Sequence, residues 1–478
     1  KNMLPDKIKE KISEIGTDFN ENKLESINIL KGFKALKLTE GFSEFKHLKR
    51  SGYSFQLVLS SMIYAVTSGS KTAVSSLPLL REKGLAMGKD VLYRLKNNEG
   101  INWRKLLWQT ACKFIGITGQ EKEVSCKVRC LIFDDTLLEK TGKKMEKIGK
   151  VYDHVTNTFK LGYKLLLGLY WDGKSMIPLD FSLSREKGKR AEKPYGMSRK
   201  ELRHQYSKKR LKELSGRERE KELDKSKIEM MLEIFYHAVF YRVPLDYVLC
   251  DSWFTCQALI TAVGSKHIHL IGMYRIVKAK FLYQGKQMNY REIQSSIDEI
   301  TRCRKMKLHY KRADVLLDDI PVTLFFTRQG KRGKWKVFLT TDTKLSFVQL
   351  MEIYQIRWSI EVFFKETKQL LNLGGCQSND FDAQIADTTI SMIAYILLSF
   401  RYRYEHYESM GELFRVMNAE CLQQTLDERL WGLFLELLQE ICEAFEKDID
   451  ELFELIMNCP KTAELVSKML TPPLREAV

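Results

Sequence analysis

From residue 1 to about 125, apolar side chains recur at three- and four-residue spacing, as in YSFQLVLSSMIYAV and INWRKLLWQTACKFI, and strand signals are few. The pattern predicts an all-helical module. Within it, KDVLYRLKNN is a short helix whose Asp90, Tyr93, Arg94 and Lys96 form either a recognition surface for phosphates or a solvated basic face. The pattern then changes. CKVRCLIFDDT is an apolar strand ending in two aspartates, and KLGYKLLLGLYWDGKSMIPLDFSL is a hairpin turning at Trp171, Asp172 and Gly173. A helix (IEMMLEIFYHAVFYR), a strand (DYVLCDSWF), a helix (FTCQALITAVGSK) and a strand (IHLIGMYR) follow. Strands separated by helices, with acids at strand ends, predict a mixed α/β core over residues 126–276. Residues 277–342 are strand-rich and read as an inserted β subdomain. Residues 343–378 read as a long helix, and 379–478 as a helical C-terminal region that is a candidate for dimerisation.

Charge sharpens this picture. The net charge of +17 points toward a polyanion, because Lys and Arg contacts to phosphate dominate nucleic-acid affinity. The excess is regional. Residues 185–228 hold seventeen Lys or Arg against eight acids, whereas Glu420 to Glu454 hold eleven acids against Arg429 and Lys447. The basic stretch reads as a solvated loop or as an arm that tracks DNA and orders on binding. The acidic stretch, with its amphipathic helices, serves pairing between subunits or packing within one. No run approaches the ~18 uninterrupted apolar residues of a membrane helix, and the first residues lack a signal peptide's apolar segment. The expectation is a cytoplasmic protein with no membrane partner. Ten cysteines without paired CxxC spacing argue for reduced thiols and against zinc.

The segment TKLSFVQLMEIYQIRWSIEVFFKETKQLLNL lacks Pro and has a single long-helix signature. At about 100° per residue, Tyr354, Arg357, Glu361, Lys365 and Lys368 fall within one stripe about 80° wide, with Ile356, Ile360 and Phe363 opposite. One face thus packs on a core while the other offers a carboxylate among a phenol, a guanidinium and two ammonium groups. Glu361 there either forms i,i+4 pairs with Arg357 and Lys365 or ligates a divalent cation beside a phosphate. Two further acidic sites favour the second role: Asp134 or Asp135 after the first strand, and Asp251 after VLC. Neighbouring strand residues face opposite ways, so only one of the first pair can aim at a shared cation. Carboxylate ligands select hard ions, Mg²⁺ or Mn²⁺.

These residues resemble bacterial insertion-sequence transposases of the IS-four type, which carry a DDE active site on an RNase H-like core. The family's Y-(2)-R-(3)-E-(6)-K signature is matched by Tyr354, Arg357, Glu361 and Lys368, and LIFDDTLLEKTGKKMEKI and VLCDSWF look like its first two blocks. The resemblance implies an α/β, RNase H-like catalytic core, with Asp134, Asp251 and Glu361 as catalytic metal ligands. The family's Asp-x-Thr pattern selects Asp134 over Asp135. It also implies that Tyr354, Arg357 and Lys368 contact transposon-end phosphates, with Lys365 joining them by its place on the stripe. Trp335, in the KRGKW turn, resembles the tryptophan that stacks on a flipped base in hairpin-forming relatives, although a lone strand tryptophan also serves as core. Asp153 and His154, in KVYDHVTN, are a turn and a core histidine or neighbours of the site.

The implied activity is Mg²⁺-dependent cut-and-paste transposition by a nucleoid-associated bacterial homodimer. It would bind terminal inverted repeats, cleave double-stranded DNA at the ends and join 3′-hydroxyls to target DNA. Two other readings compete: a junction-resolving or repair nuclease on the same core, which would not join strands, and a domesticated DNA-binding protein that no longer cuts.

Overall fold

The computed structural model describes residues 52–82, 87–121, 127–153, 156–188, 190–330, 332–419 and 458–461, together with Leu36 and Phe45. The acidic segment from Glu420 to Glu454 and His154 lie outside the described residues.

Among the described residues four helices come first: α1 (Phe55–Thr67), α2 (Ala73–Glu82), α3 (Lys89–Lys96) and α4 (Trp103–Thr118). Ser54 caps α1 by accepting from the Leu57 amide, and Asn102 caps α4 by accepting from the Lys105 amide. In α3, Leu92 and Leu95 are buried while Arg94 is exposed, and Lys96 pairs with Asp387 at 2.5 Å. One of the cations expected on a recognition surface is therefore tied to the core.

Four strands follow: β1 (Cys130–Glu139), β2 (Gly149–Asp153), β3 (Thr158–Trp171) and β4 (Met176–Ser184). The expected hairpin is β3–β4, whose turn uses a positive φ of 95° at Gly173. Antiparallel pairing joins β1 to β3 and β3 to β4, while β5 (Tyr247–Cys250) lies parallel to β1, and β6 (His269–Met273) parallel to β5. The order β4-β3-β1-β5-β6, with β3 alone running antiparallel to the other four, is the RNase H-like arrangement. Residues 130–133 of β1 and 163–170 of β3 are buried throughout, as expected for central strands covered on both faces. One cover is α7 (Lys227–Phe240), which comes close to β3 at Gly168, where a Cβ would lie 2.6 Å from Ile234 Cγ2.

The basic stretch folds onto this core. It forms α5 (Arg199–Arg203) and α6 (Ser215–Glu222), and its side chains reach distant acids. Arg210, whose side chain has no solvent exposure, meets Glu146 at 2.7 Å, Asp382 at 3.1 Å and Asp380 at 3.5 Å, and Lys208 meets Asp382 at 2.7 Å. The expectation that this stretch cannot bury itself is thus corrected at Arg210 and Arg219, while Lys187, Lys200, Lys209 and Lys212 stay exposed. Carboxylates contributed from either side of the stretch hold Arg210 and Lys208 and make it a strap.

After α8 (Gln257–Gly264) and β6, the chain forms β7 (Phe281–Tyr283), β8 (Lys286–Met288), α9 (Tyr290–Ser296), β9 (Thr301–Cys303), β10 (Leu308–Leu317), β11 (Ile320–Gln329) and β12 (Lys336–Thr340). These strands, anticipated as a separate subdomain, continue the core sheet, because β12 pairs antiparallel with β6.

The long helix is α10 (Phe347–Gln355) and α11 (Ser359–Leu370), joined by a 3₁₀ turn at Ile356–Trp358. Ser346 and Gln349 cap α10 reciprocally. Gln355, Ile356, Trp358 and Ser359 are all right-handed helical, so the turn tightens the rod without breaking it. Finally, α12 (Phe381–Tyr404) is long and apolar enough to cross a membrane by length and composition, with mean hydropathy 1.4 in its most apolar stretch, but 89% of that stretch is buried in the protein. It packs against α4, α1 and β4, so the N-terminal helices share one apolar core with the sheet.

Candidate active site

The strand expected to end at the two aspartates runs on to Glu139, and polarity changes abruptly midway along it, at Asp134. Phe133 is buried and faces Cys250 across the parallel β1–β5 pair, so Asp134, midway along β1, and Asp251, just past the end of β5, are next to each other. Asp134 Oδ1 accepts from the Asp135 amide at 2.8 Å. Asp135 itself bonds Lys227, with Lys164 at 3.8 Å. The alternation of β1 thus separates the two neighbours: Asp134 toward the helix that bears Glu361, Asp135 toward two lysines.

The turn after β5 fixes Asp251. Its Oδ1 accepts from the amides of Trp253 (2.8 Å) and Phe254 (3.3 Å). Its carbonyl accepts from the Thr255 amide (3.2 Å) and hydroxyl (2.8 Å). Phe254 is buried beneath, and Thr255 lies flat on Gly272 of β6, where a Cβ would come within 2.2 Å of its hydroxyl oxygen.

Arg357 ties the third acid to the first. Its Nη1 donates to Asp134 Oδ2 at 3.2 Å and its Nη2 to Glu361 Oε1 at 2.6 Å. Ile360 and Phe363 are fully buried on the opposite side of α11, as their spacing predicts, which holds Glu361 toward the strand ends. Tyr354 lies against Phe338, with its hydroxyl 3.4 Å from the Cys250 carbonyl. Burial raises its phenol well above the usual range. Lys368 donates to the Thr136 hydroxyl (2.7 Å) and the Leu137 carbonyl (3.0 Å), and burial lowers its ammonium. Lys365 is exposed.

Burial pushes the Asp134 carboxyl up to about 6, against the pull of the Asp135 amide and Arg357, and the Asp251 charge adds to the rise. Burial likewise raises Asp251, reinforced by the charge of Asp135. Two carboxylates crowded in a poorly solvated corner seek a cation. Among the described residues no three His, Cys, Asp or Glu groups gather at metal-ligating distance, and Arg357 fills the gap between Asp134 and Glu361. The donor set of three carboxylates with hard oxygens nonetheless suits Mg²⁺ or Mn²⁺.

A cavity of about 960 Å³ opens beside these strand ends, lined among others by Asp135, Asp251, Lys160, Lys164, Lys227 and Lys368. Asp153 lines it too and pairs with Lys160 at 3.1 Å. Trp335 lies elsewhere, half-buried near Arg328 and Lys311 with ring-to-cation distances of 4.5 and 5.4 Å. Sequence reasoning passed over Lys164, Lys227, Trp253 and Gly272. Lys164 left a trace as the one cation in the apolar run of β3, whereas the others depend on tertiary neighbours.

Residues 224–397 match the family model described as a transposase DDE domain. That span holds Asp251, Trp335, Tyr354, Arg357, Glu361, Lys365 and Lys368, while Asp134 precedes it. Among solved structures, the chain is similar to the Drosophila P element transposase strand transfer complex at 10% identity and a TM-score of 0.22, covering 54% of each chain. The chain thus spans about half the length of that relative. No curated protein sequence matches.

Proposed function

We propose that this protein is a cut-and-paste DNA transposase in which Asp134, Asp251 and Glu361 hold divalent cations against a phosphodiester. The observation that carries the reading is the meeting, midway along β1 and just past β5, of two half-buried aspartates, the first of which Arg357 links to Glu361. The transposase DDE match over the segment bearing Asp251 and Glu361 supports it.

A bound Mg²⁺ or Mn²⁺ pair would polarise the phosphodiester and activate water or a 3′-hydroxyl. This chain's own residues supply the frame. The Trp253 and Phe254 amides orient Asp251, the buried face of α11 aims Glu361, and Lys368, Lys164 and Lys227 draw the DNA strand into the cavity. Arg357 lies within reach of both carboxylates and of the strand they would face, so it exchanges carboxylate for phosphate as DNA and metal enter. Terminal inverted repeats are the substrate in this reading, and a homodimer brings two ends together.

Supercoiled donor DNA carrying the element's ends, incubated with purified protein and Mg²⁺, tests the proposal. Nicking at the ends followed by joined products is expected, and both should vanish in Asp251→Ala and Glu361→Ala. Cleavage unchanged in these variants would refute the assignment, and cleavage without joining would favour a nuclease on the same core.

A further inference from the structure

Trp253 is 58% exposed, although an indole in water forgoes the burial that usually holds it. A lone surface aromatic is ordinary, but this one is built into the site. Its amide donates to Asp251 Oδ1 at 2.8 Å, and its side chain lines the cavity that Asp251, Lys164, Lys227 and Lys368 share. The guanidinium of Arg275, just beyond β6, stacks on the indole with its carbon 3.4 Å from the ring centroid. Its backbone is also braced, since Phe254 is buried and Thr255 is bonded to Asp251.

Resting on the transposase reading above, we propose that Trp253 and Arg275 form a stacking subsite for an unpaired base of the nucleotide next to the phosphodiester held at Asp251. The chemistry fits the ligand. An aromatic face stacks on any base, a stacked guanidinium stiffens that face and offsets phosphate charge, and the lysines follow the backbone. Two residues of chain separate Trp253 from Asp251, at most about 7 Å. The base it meets is therefore adjacent to the bond being cut. This subsite is distinct from Trp335, whose ring lies with Arg328 and Lys311 and lines no part of the cavity.

The experiment compares a fluorescein-labelled duplex ending in a three-nucleotide unpaired flap with the same duplex blunt-ended, by anisotropy in EDTA. The full-length wild type should prefer the flap by about tenfold, since stacking on an aromatic is worth roughly 5- to 150-fold per base. Trp253→Ala should reduce the preference toward unity while leaving blunt-duplex affinity in place, and Trp253→Phe should keep most of it. A 2-aminopurine in the flap should be quenched by the wild type and recover in Trp253→Ala. If Trp253→Ala retains the flap preference and the quenching while the wild type cuts donor DNA, only the stacking subsite is overturned. If the wild type binds neither duplex, the transposase reading falls with it.

Discussion

Gly272 lies one strand away from Asp251, and its hydrogen is what lets the turn after β5 close. Replacing it with alanine would put a methyl carbon 2.2 Å from Thr255 Oγ1, 3.1 Å from Thr255 Cγ2 and 3.2 Å from Thr255 Cβ. Ordinary contact needs more than a further ångström at the hydroxyl. Rotating the threonine offers no escape, because its methyl and Cβ are crowded too. The turn must move, and with it the hydroxyl bond to the Asp251 carbonyl at 2.8 Å. Overpacking of this kind costs ~1–3 kcal/mol, and the lost hydrogen bond about 1 more. The larger effect falls on rate, since displacing a reacting group by about 1 Å can cost on the order of 100-fold. Gly272→Ala should therefore unfold a few degrees lower in a thermal melt. In a plasmid-nicking assay with Mg²⁺ it should cut about 100-fold more slowly, with duplex affinity little changed. Nicking within threefold of wild type at an unchanged melting midpoint would refute the claim that this contact sets the position of Asp251.

Other consequences can be measured alongside. Asp180 is buried, and Arg104 at 2.9 Å, with help from His237 and Arg219, overcomes the cost of burial and holds its carboxyl far below the usual range. Its stabilisation is therefore complete above the unfolded carboxylate value of about 3.9 and is lost only as pH falls through the depressed folded value. Asp180→Asn should cost ~3–5 kcal/mol in urea melts, by stranding Arg104 and Arg219, with a constant deficit from pH 8 to 5 that narrows below about pH 4. Arg210→Ala should free the strap, seen as faster proteolysis within residues 185–228, and a digestion rate equal to wild type would count against the buried ion cluster. Lys368→Ala should lessen the slope of log affinity against log salt for duplex DNA by about 0.9, and an unaltered slope would remove Lys368 from the phosphate contacts.

Much of the core is written locally. The apolar runs that become β1 and β5 end at Asp134 and Asp251, and the stripe on α11 leaves Ile360 and Phe363 wholly buried beneath Glu361. What eluded sequence reasoning depends on partners far along the chain. Arg210 looked solvated because its carboxylates, Glu146, Asp380 and Asp382, are remote from it in sequence. Arg357 was grouped with the phosphate contacts, yet it bridges Asp134 and Glu361, a geometry that only the meeting of β1 with the helix defines. No local periodicity could show that β12 would find β6 as its neighbour.

That last pairing makes residues 277–342 a poor cassette. Cutting them out and splicing the ends would bare one side of β6, a hydrogen-bonding edge flanked by buried Leu270 and Ile271, and bare edges of that kind recruit strands from other molecules. A shortened chain made that way should precipitate before the proposed activity could be assayed, and a useful truncation would first have to supply a replacement strand.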